Sequence, residues 1–271
     1  MYPIVSFFGK TITTYFIFSL IGIFVAGTFA CKLSKKRGED DNETIIVMLF
    51  ASIGAILGGH ILYGITNFSL LPILLTAESF SQFLEYIVSI FGGSVFYGGL
   101  IGAIISAFIT IRFRKLPLNI YSDILATIIP LFHCFGRVGC FLGGCCYGIE
   151  SHFGFTAHGN MLVPEVNDVS RFPVQLLEAF FNLLLFFVLL YIYNKSLSNK
   201  KFQGKILFIY LISYSIIRFC DEFLRGDKIR GFIFGLSTSQ FISVWIFFIS
   251  VSCLIIIKIK SHMHRSVKNE Q

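Results

Sequence analysis

Charge is what this chain has little of. Asp, Glu, Lys and Arg together make up 14% of its 271 residues, where soluble domains carry about 25%. With 55% hydrophobic residues and a mean hydropathy of +0.78, that deficit excludes an ordinary soluble domain. The opening MYPIVSFFGK lacks a basic n-region and a small-residue cleavage site, so no removable secretory signal is expected and the first apolar stretch stays as a span. The seven cysteines include no C-x-x-C pair, and no internal repeat is evident. The net charge of +7 does not point to nucleic acid, because the basic residues sit mostly in short loops and the tail.

Apolar length is what the chain has in abundance. A hydrocarbon core needs roughly 20 apolar residues in helical form, and seven stretches qualify, at roughly 12–32, 44–64, 92–113, 120–142, 174–194, 204–226 and 237–259. The segment at roughly 79–91, SFSQFLEYIVSIF, reads as an interfacial amphipathic helix rather than a span. The expected fold is all-α: one polytopic, multi-pass membrane helix bundle over residues 1–271.

Lys and Arg in the short loops set the orientation. Lys32, Lys35, Lys36 and Arg37 follow the first span, Arg112, Arg114 and Lys115 the third, and Lys195, Lys200, Lys201 and Lys205 the fifth. Lys258 lies at the edge of the tail, about 259–271, and Lys260, Arg265 and Lys268 lie within it. The loop after span two has neither residue, the loop after span four only Arg171, and the loop after span six only Lys228 and Arg230. The amino terminus is therefore expected outside and the carboxyl terminus in the cytoplasm. The longest loop, about 143–173, is extracytoplasmic and shows no clear periodicity.

With orientation fixed, each polar residue has a depth at about 1.5 Å per residue. Arg137, Arg218, His60, Tyr15, Tyr97, Gln175 and Glu178 all fall in the outer half of the bilayer. In RFCDEFLR, Arg218, Glu222 and Arg225 stand at i, i+4 and i+7 and are expected on one helical face, with Asp221 beside them. An arginine in a span costs about 2.5–3.5 kcal/mol to insert. A structural Arg218–Glu222 pair is one explanation. The other adds Arg137 and finds more cation than nearby carboxylate, an excess suited to a phospholipid phosphate. The small-residue runs GAILGG (Gly54–Gly59) and GGSVFYGGLIG (Gly92–Gly102) let helices pack closely or wall a lipid site.

HCFGRVGCFLGGCCYG, from His133 to Gly148, holds Cys140, Cys145 and Cys146. Its C-x4-C-C spacing fits no common zinc pattern, although His133, His152 and His158 are conceivable additional ligands. A Cys140 disulfide with Cys145 or Cys146, a small apolar filler role, and a catalytic thiol all stay open.

Several motifs together resemble the bacterial phosphatidylglycerol–prolipoprotein diacylglyceryl transferases over nearly the whole chain. TITTYFIFSLIGIF places Tyr15 on the family's tyrosine, and LGGHILY is similar to G-[GA]-R-x-x-Y with His60 at the arginine. VFYGGLIGA is similar to F-H-G-G-L-I-G, with Gly98 and Gly99 on its glycines. GRVGCFLGGCCYG falls on G-R-x-x-N-F-x-N-x-E-x-x-G, RFPVQLLEA on H-P-x-Q-L-Y-E, and IRFCDEFLRGD on R-F-x-x-E-F-x-R-x-P-D. The functional matches are Arg137, Gly148, Gln175, Glu178, Arg218, Glu222 and Arg225. Tyr97 stands where the family has an essential histidine; Cys140 and Gly143 replace asparagines and Cys145 the glutamate.

The resemblance implies a diacylglyceryl transfer from phosphatidylglycerol, or a related phospholipid, to the lipobox cysteine of a prolipoprotein, with no metal or cofactor. Arg137 and Arg218 are the expected headgroup clamp and leaving-group field, with Tyr97 or His133 as base. Tyr15, His60, Gly98, Gly99, Cys140, Gly148, Gln175, Glu178, Glu222 and Arg225 are the expected substrate-binding set. The alternatives are a diverged paralog with another acceptor, a non-catalytic phospholipid-binding protein, or a membrane thiol-redox protein.

Overall fold

The computed structural model describes residues 2–7, 9–199, 202–227 and 232–269. Lys200, Lys201, Lys228 and Arg230 of the orientation argument lie outside these residues, as do the side chains of Lys260, Arg265 and Lys268. Helices dominate: α1 (Thr14–Lys36), α2 (Asp41–Thr66), α3 (Phe80–Phe91), α4 (Phe96–Phe113), α5 (Leu118–Gly143), α6 (Val174–Ser198), α7 (Ile206–Asp221) and α8 (Thr238–Asn269). Short 3-10 segments join them, the longest at Phe68–Thr76. The chain is not purely helical. Three two-stranded antiparallel sheets pair β1 (Ile4–Phe7) with β2 (Lys10–Thr13), β3 (Glu150–Thr156) with β4 (Ser170–Arg171), and β5 (Phe232–Ile233) with β6 (Leu236–Ser237).

Among the described residues, five helices are long and apolar enough to cross a membrane: α1, α2, α5, α6 and the Thr238–Ile259 part of α8. This is a multi-pass membrane protein. The other two expected spans are shorter than the sequence suggested. The stretch expected at about 92–113 turns helical only at Phe96, because the chain from Gly92 to Val95 is spent in a turn. The one expected at about 204–226 ends at Asp221 and passes into a 3-10 turn, Glu222–Leu224.

Two compact units emerge. One holds the chain up to Leu33 and from Ser122 onward; the other holds Ser34–Tyr121. In the second unit, α2 and α4 pack backbone to backbone. A Cβ on Gly54 or Gly102 would overlap the other's carbonyl, and the same holds for Gly58 and Gly98. Only glycine allows that approach, and dispersion between the two backbones holds it rather than side-chain burial. The Ser106 hydroxyl donates to the Phe50 carbonyl across the seam at 2.7 Å. Arg114 Nε donates to Glu43 at 2.8 Å near one end of the two helices. Asp40 caps α2 by accepting from Asn42 N at 2.8 Å, and Ser79 caps α3 by accepting from Gln82 N at 3.2 Å.

In the first unit, the fully buried Asp123 of α5 accepts from Gly204 N (2.6 Å) and Ile206 N (3.0 Å). One α5 carboxylate thus satisfies backbone donors at the start of α7, where the helix dipole favours negative charge. Tyr193 of α6 donates to the Leu33 carbonyl of α1 at 2.9 Å. Ser237 and Gln240 form a reciprocal capping box at the start of α8, at 3.1 and 3.2 Å.

The long loop between α5 and α6 is ordered by side chains rather than by period. The Asn160 amide donates to the Gly143 carbonyl at 3.1 Å, and its Oδ1 accepts from Leu162 N and Val163 N at 3.0 Å each. Tyr147, Ala157 and Val166 form a small core there. Arg171 lies over the Tyr147 ring, 4.3 Å from its centroid, and the Tyr147 hydroxyl donates to Glu165 at 3.2 Å. Burial, then the neighbouring Glu165 carboxylate, pushes the Tyr147 phenol above its usual range.

Candidate functional site

The polar residues of the first unit gather on α5, α6, α7 and the start of α8. Arg137 of α5 meets Glu178 of α6, with Nε 2.9 Å from Oε1. Arg218 of α7 meets Glu222 at 2.8 Å and donates through the same nitrogen, Nη2, to Ser239 Oγ of α8 at 3.0 Å. Both pairs are nearly dry: the Glu178 and Glu222 side chains are 3% and 2% exposed. Arg137 and Arg218 act electrostatically on the same two side chains, Tyr214 and Asp221. Guanidinium groups from two helices thus address one polar neighbourhood.

Two expectations about this cluster need correction. Arg218, Glu222 and Arg225 do not share a helical face. The helix stops at Asp221, Glu222 opens a 3-10 turn, and Arg225 is extended, with φ −83° and ψ 137°. Arg225 turns to Asp227 instead, in a two-bonded fork at 3.0 and 2.6 Å. Among the described residues the expected surplus of cation is also absent. Arg137, Arg218 and Arg225 each have a carboxylate of their own, and the buried Asp221 adds another. Glu178 comes from a different helix and Asp227 lies beyond the turn, so local counting around Arg218 undercounts the acids.

What is left over is directional rather than net charge. Arg218 Nη1 is a buried donor with no hydrogen-bond partner among the described residues, and Asp221 Oδ2 and His133 Nδ1 are buried acceptors or donors in the same condition. A buried polar atom without a partner costs about 1–3 kcal/mol, so such atoms mark places where a ligand or water belongs. His133 packs against Tyr214, ring centroids 5.3 Å apart, and faces Asn182. Tyr214, one turn before Arg218, is a member of the cluster that sequence reasoning misses. Its i, i+4 spacing to Arg218 is the available signal.

Gly148 owes its place to a crossing of three backbones. Ile149 N donates to Leu224 O (3.0 Å), Phe172 N to Ile149 O (2.9 Å), and Gly226 N to Tyr147 O (2.9 Å). A Cβ on Gly148 would overlap the Phe172 carbonyl. That crossing ties the loop after α5 to the chains flanking α6 and α7, and it explains why α7 cannot continue to Arg225.

Gln175 is buried and donates to the Cys145 carbonyl at 2.9 Å. Cys140 is buried at the end of α5, and none of the seven cysteines is joined in a disulfide. Hydrogen bonds from Cys140 and Cys145, then the Arg137 and Arg225 guanidinium groups, hold the Cys146 thiol well below the usual thiol range. Of the histidines weighed as partners for these cysteines, His158 pairs with Asp168 at 2.7 Å instead. Tyr15 stands at the start of α1 where Gly139 of α5 brings the two backbones together; a Cβ there would lie 3.1 Å from Tyr15 Cα.

The remaining candidates belong to the second unit. His60 Nδ1 lies 2.8 Å from both the Phe91 and Gly93 carbonyls, so that nitrogen carries the proton and holds the turn between α3 and α4. Gly98 is the seam residue facing Gly58, and Gly99 sits over the Ala55 carbonyl. Tyr97 is half-buried in the first turn of α4. Packing and turn geometry account for His60, Gly98 and Gly99.

The chain matches the family model for prolipoprotein diacylglyceryl transferase over residues 3–256. It is 32% identical over 246 residues to the phosphatidylglycerol–prolipoprotein diacylglyceryl transferase of Clostridium tetani, an overlap of 90% of this chain and 92% of that one. It is 35% identical over 242 residues to the Clostridium perfringens protein named phosphatidylglycerol–prolipoprotein diacylglyceryl transferase 2, covering 88% of each. With the transferase of Finegoldia magna the figure is 29% over 262 residues, 96% of each.

Proposed function

Because the chain belongs to the prolipoprotein diacylglyceryl transferase family, we propose that it moves the diacylglyceryl group of phosphatidylglycerol onto the lipobox cysteine thiol of a prolipoprotein. In this reading it crosses a bacterial plasma membrane seven times, with the amino terminus outside and the carboxyl terminus in the cytoplasm. The extracytoplasmic loop then lies on the side where the prolipoprotein arrives.

The observation that carries the reading is the unpartnered Arg218 Nη1. Glu222 and Ser239 fix the guanidinium through Nη2 and leave the other nitrogen without an acceptor among the described residues. A phosphate oxygen is such an acceptor, and guanidinium is its best-matched donor. Arg137, held by Glu178, adds a second fixed positive group to the same neighbourhood. During transfer a sulfur–carbon bond forms, the carbon–oxygen bond to phosphate breaks, and glycerol phosphate leaves with the electron pair. Charge grows on the leaving phosphate, where donors placed in advance act most strongly.

The thiol proton needs an acceptor, because a free thiol has a pKa of about 8.5. Asp221 is the best-placed base of the first unit. Its buried Oδ2 has no hydrogen-bond partner among the described residues, and it lies within electrostatic range of Arg137, Arg218 and Arg225. His133 is second, since its ring is packed against Tyr214. Tyr97, at the family's histidine position, is third.

The test is the purified protein with labelled phosphatidylglycerol and a lipobox peptide. Thioether formation is expected, with Asp221→Asn losing more rate than His133→Gln or Tyr97→Phe. Phospholipid binding without product, persisting in Tyr97→His, would replace the transferase with a phospholipid-binding protein.

A further inference from the structure

The thiol trio has no task in the transfer chemistry above, yet it is built with care. The Sγ atoms of Cys140, Cys145 and Cys146 all lie within 4.8 Å of one another. They come from the last turn of α5 and from the two residues after a sharp reversal. Gly144 ends the helix in the left-handed region, φ +83°, with its N–H bonded back to the Cys140 carbonyl at 2.9 Å. Cys146 also has positive φ, +55°, a conformation unfavourable for a non-glycine residue that persists only where the surroundings enforce it. Gln175 clamps the peptide between these two reversals through the Cys145 carbonyl. The outcome of this strained turn is that adjacent cysteines, whose side chains diverge in ordinary extended chain, point to one place together with Cys140.

Any disulfide among the three would leave one thiol over. A single soft ion uses all of them. We propose that Cys140, Cys145 and Cys146 form a trithiolate site for a thiophilic d10 metal ion, Zn2+ or Cu+. Metal–sulfur bonds of about 2.3 Å set sulfur–sulfur separations of about 3.8 Å, so the trio closes on an ion by moving less than about 1 Å. Soft sulfur ligands select these ions over Mg2+ or Ca2+. Three protein ligands suffice for Cu+ and leave a fourth position on Zn2+ for water or another exogenous donor. Each thiol releases its proton to solvent as its sulfur lone pair forms the metal bond, and no electron changes hands. The complex stays anionic, and Arg137 and Arg225 act electrostatically on Cys146, so its charge is met locally. The C-x4-C-C spacing matches no common zinc pattern because the convergence is made by the left-handed turn rather than by ligand spacing along a regular element.

The site stands independently of the transferase reading, and its test needs no activity measurement. The full-length protein, purified in detergent and reduced with a phosphine, is titrated with Zn2+ against a chromophoric chelator and, without oxygen, with Cu+. Cd2+ serves as a spectroscopic stand-in. One ion per chain and a thiolate-to-cadmium charge-transfer band are expected. The Cys140→Ser/Cys146→Ser variant should bind at least about tenfold more weakly and lose the band. Replacing Cys31, Cys134, Cys220 and Cys253 with serine leaves the trio intact and should change neither. Affinity for only one of Zn2+ and Cu+ identifies the ion. Absence of the cadmium band in the natural protein, or a band that disappears with those other four cysteines in a variant whose helical circular dichroism and elution match the natural protein, overturns the proposal.

Discussion

The seam between α2 and α4 and the polar cluster of α5, α6 and α7 both bring helices together in an apolar chain, by opposite means. At the seam, Gly54, Gly58, Gly98 and Gly102 remove side chains so that backbones touch. In the cluster, long charged side chains reach across, Arg137 to Glu178 of α6 and Arg218, held by its neighbour Glu222, to Ser239 of α8. The seam asks only for small volume, and any addition harms it. The cluster asks for complete partnering, and any subtraction harms it. The atoms left unpartnered in the cluster are therefore the informative ones, whereas nothing at the seam calls for a ligand.

Four experiments break or sharpen that contrast. Glu178→Leu should be the most damaging, because it strands a buried guanidinium; a loss of about 3–5 kcal/mol is expected in unfolding measurements in detergent. The double variant Arg137→Met/Glu178→Leu should recover much of that stability while remaining inactive. Arg218→Gln comes next: product formation should fall about 10²–10³-fold, with a smaller change in thermal midpoint, as expected when a donor to developing charge is lost. Gly58→Leu overfills the seam and should cost about 3 kcal/mol of stability, with Gly58→Ala nearer 1 kcal/mol. The smallest effect is expected for Asp123→Asn, which keeps the shape of the α7 cap and removes its charge. A loss of about 1 kcal/mol should appear in the same melts, and hydrogen exchange should rise first at the start of α7.

The two regions also differ in how much of them the sequence displays. Glycine runs in apolar stretches are visible as such, and the seam lies where GAILGG and GGLIG stand. The long apolar helices are equally plain, because length and composition alone define them. The cluster is half visible. Arg137 and Arg218 stand out as costly residues within spans, and Glu222 is visible four residues after Arg218, but the counter-charge of Arg137, Glu178, comes from another helix and no local count reveals it. The expectation that Arg225 continues the helical face fails for a tertiary reason: Gly148 and Gly226 draw the chain after Asp221 into backbone pairing with the loop after α5. The meeting of the three thiols is hidden because it depends on positive φ at Cys146, which residue type does not announce. His60 carries a second signal that the sequence does not display: a histidine near the end of a span suggests ligand binding, and its Nδ1 also closes a turn between two helices.

The early stop of α7 bears on the lipid itself. Sixteen helical residues rise about 24 Å, about 6 Å less than a typical hydrocarbon layer. Lipid bordering so short a wall adapts by thinning. In the proposed reading, the outer headgroups there sit lower than elsewhere in the leaflet, which brings a phosphodiester down toward Arg218 and spares the arginine a climb to the surface.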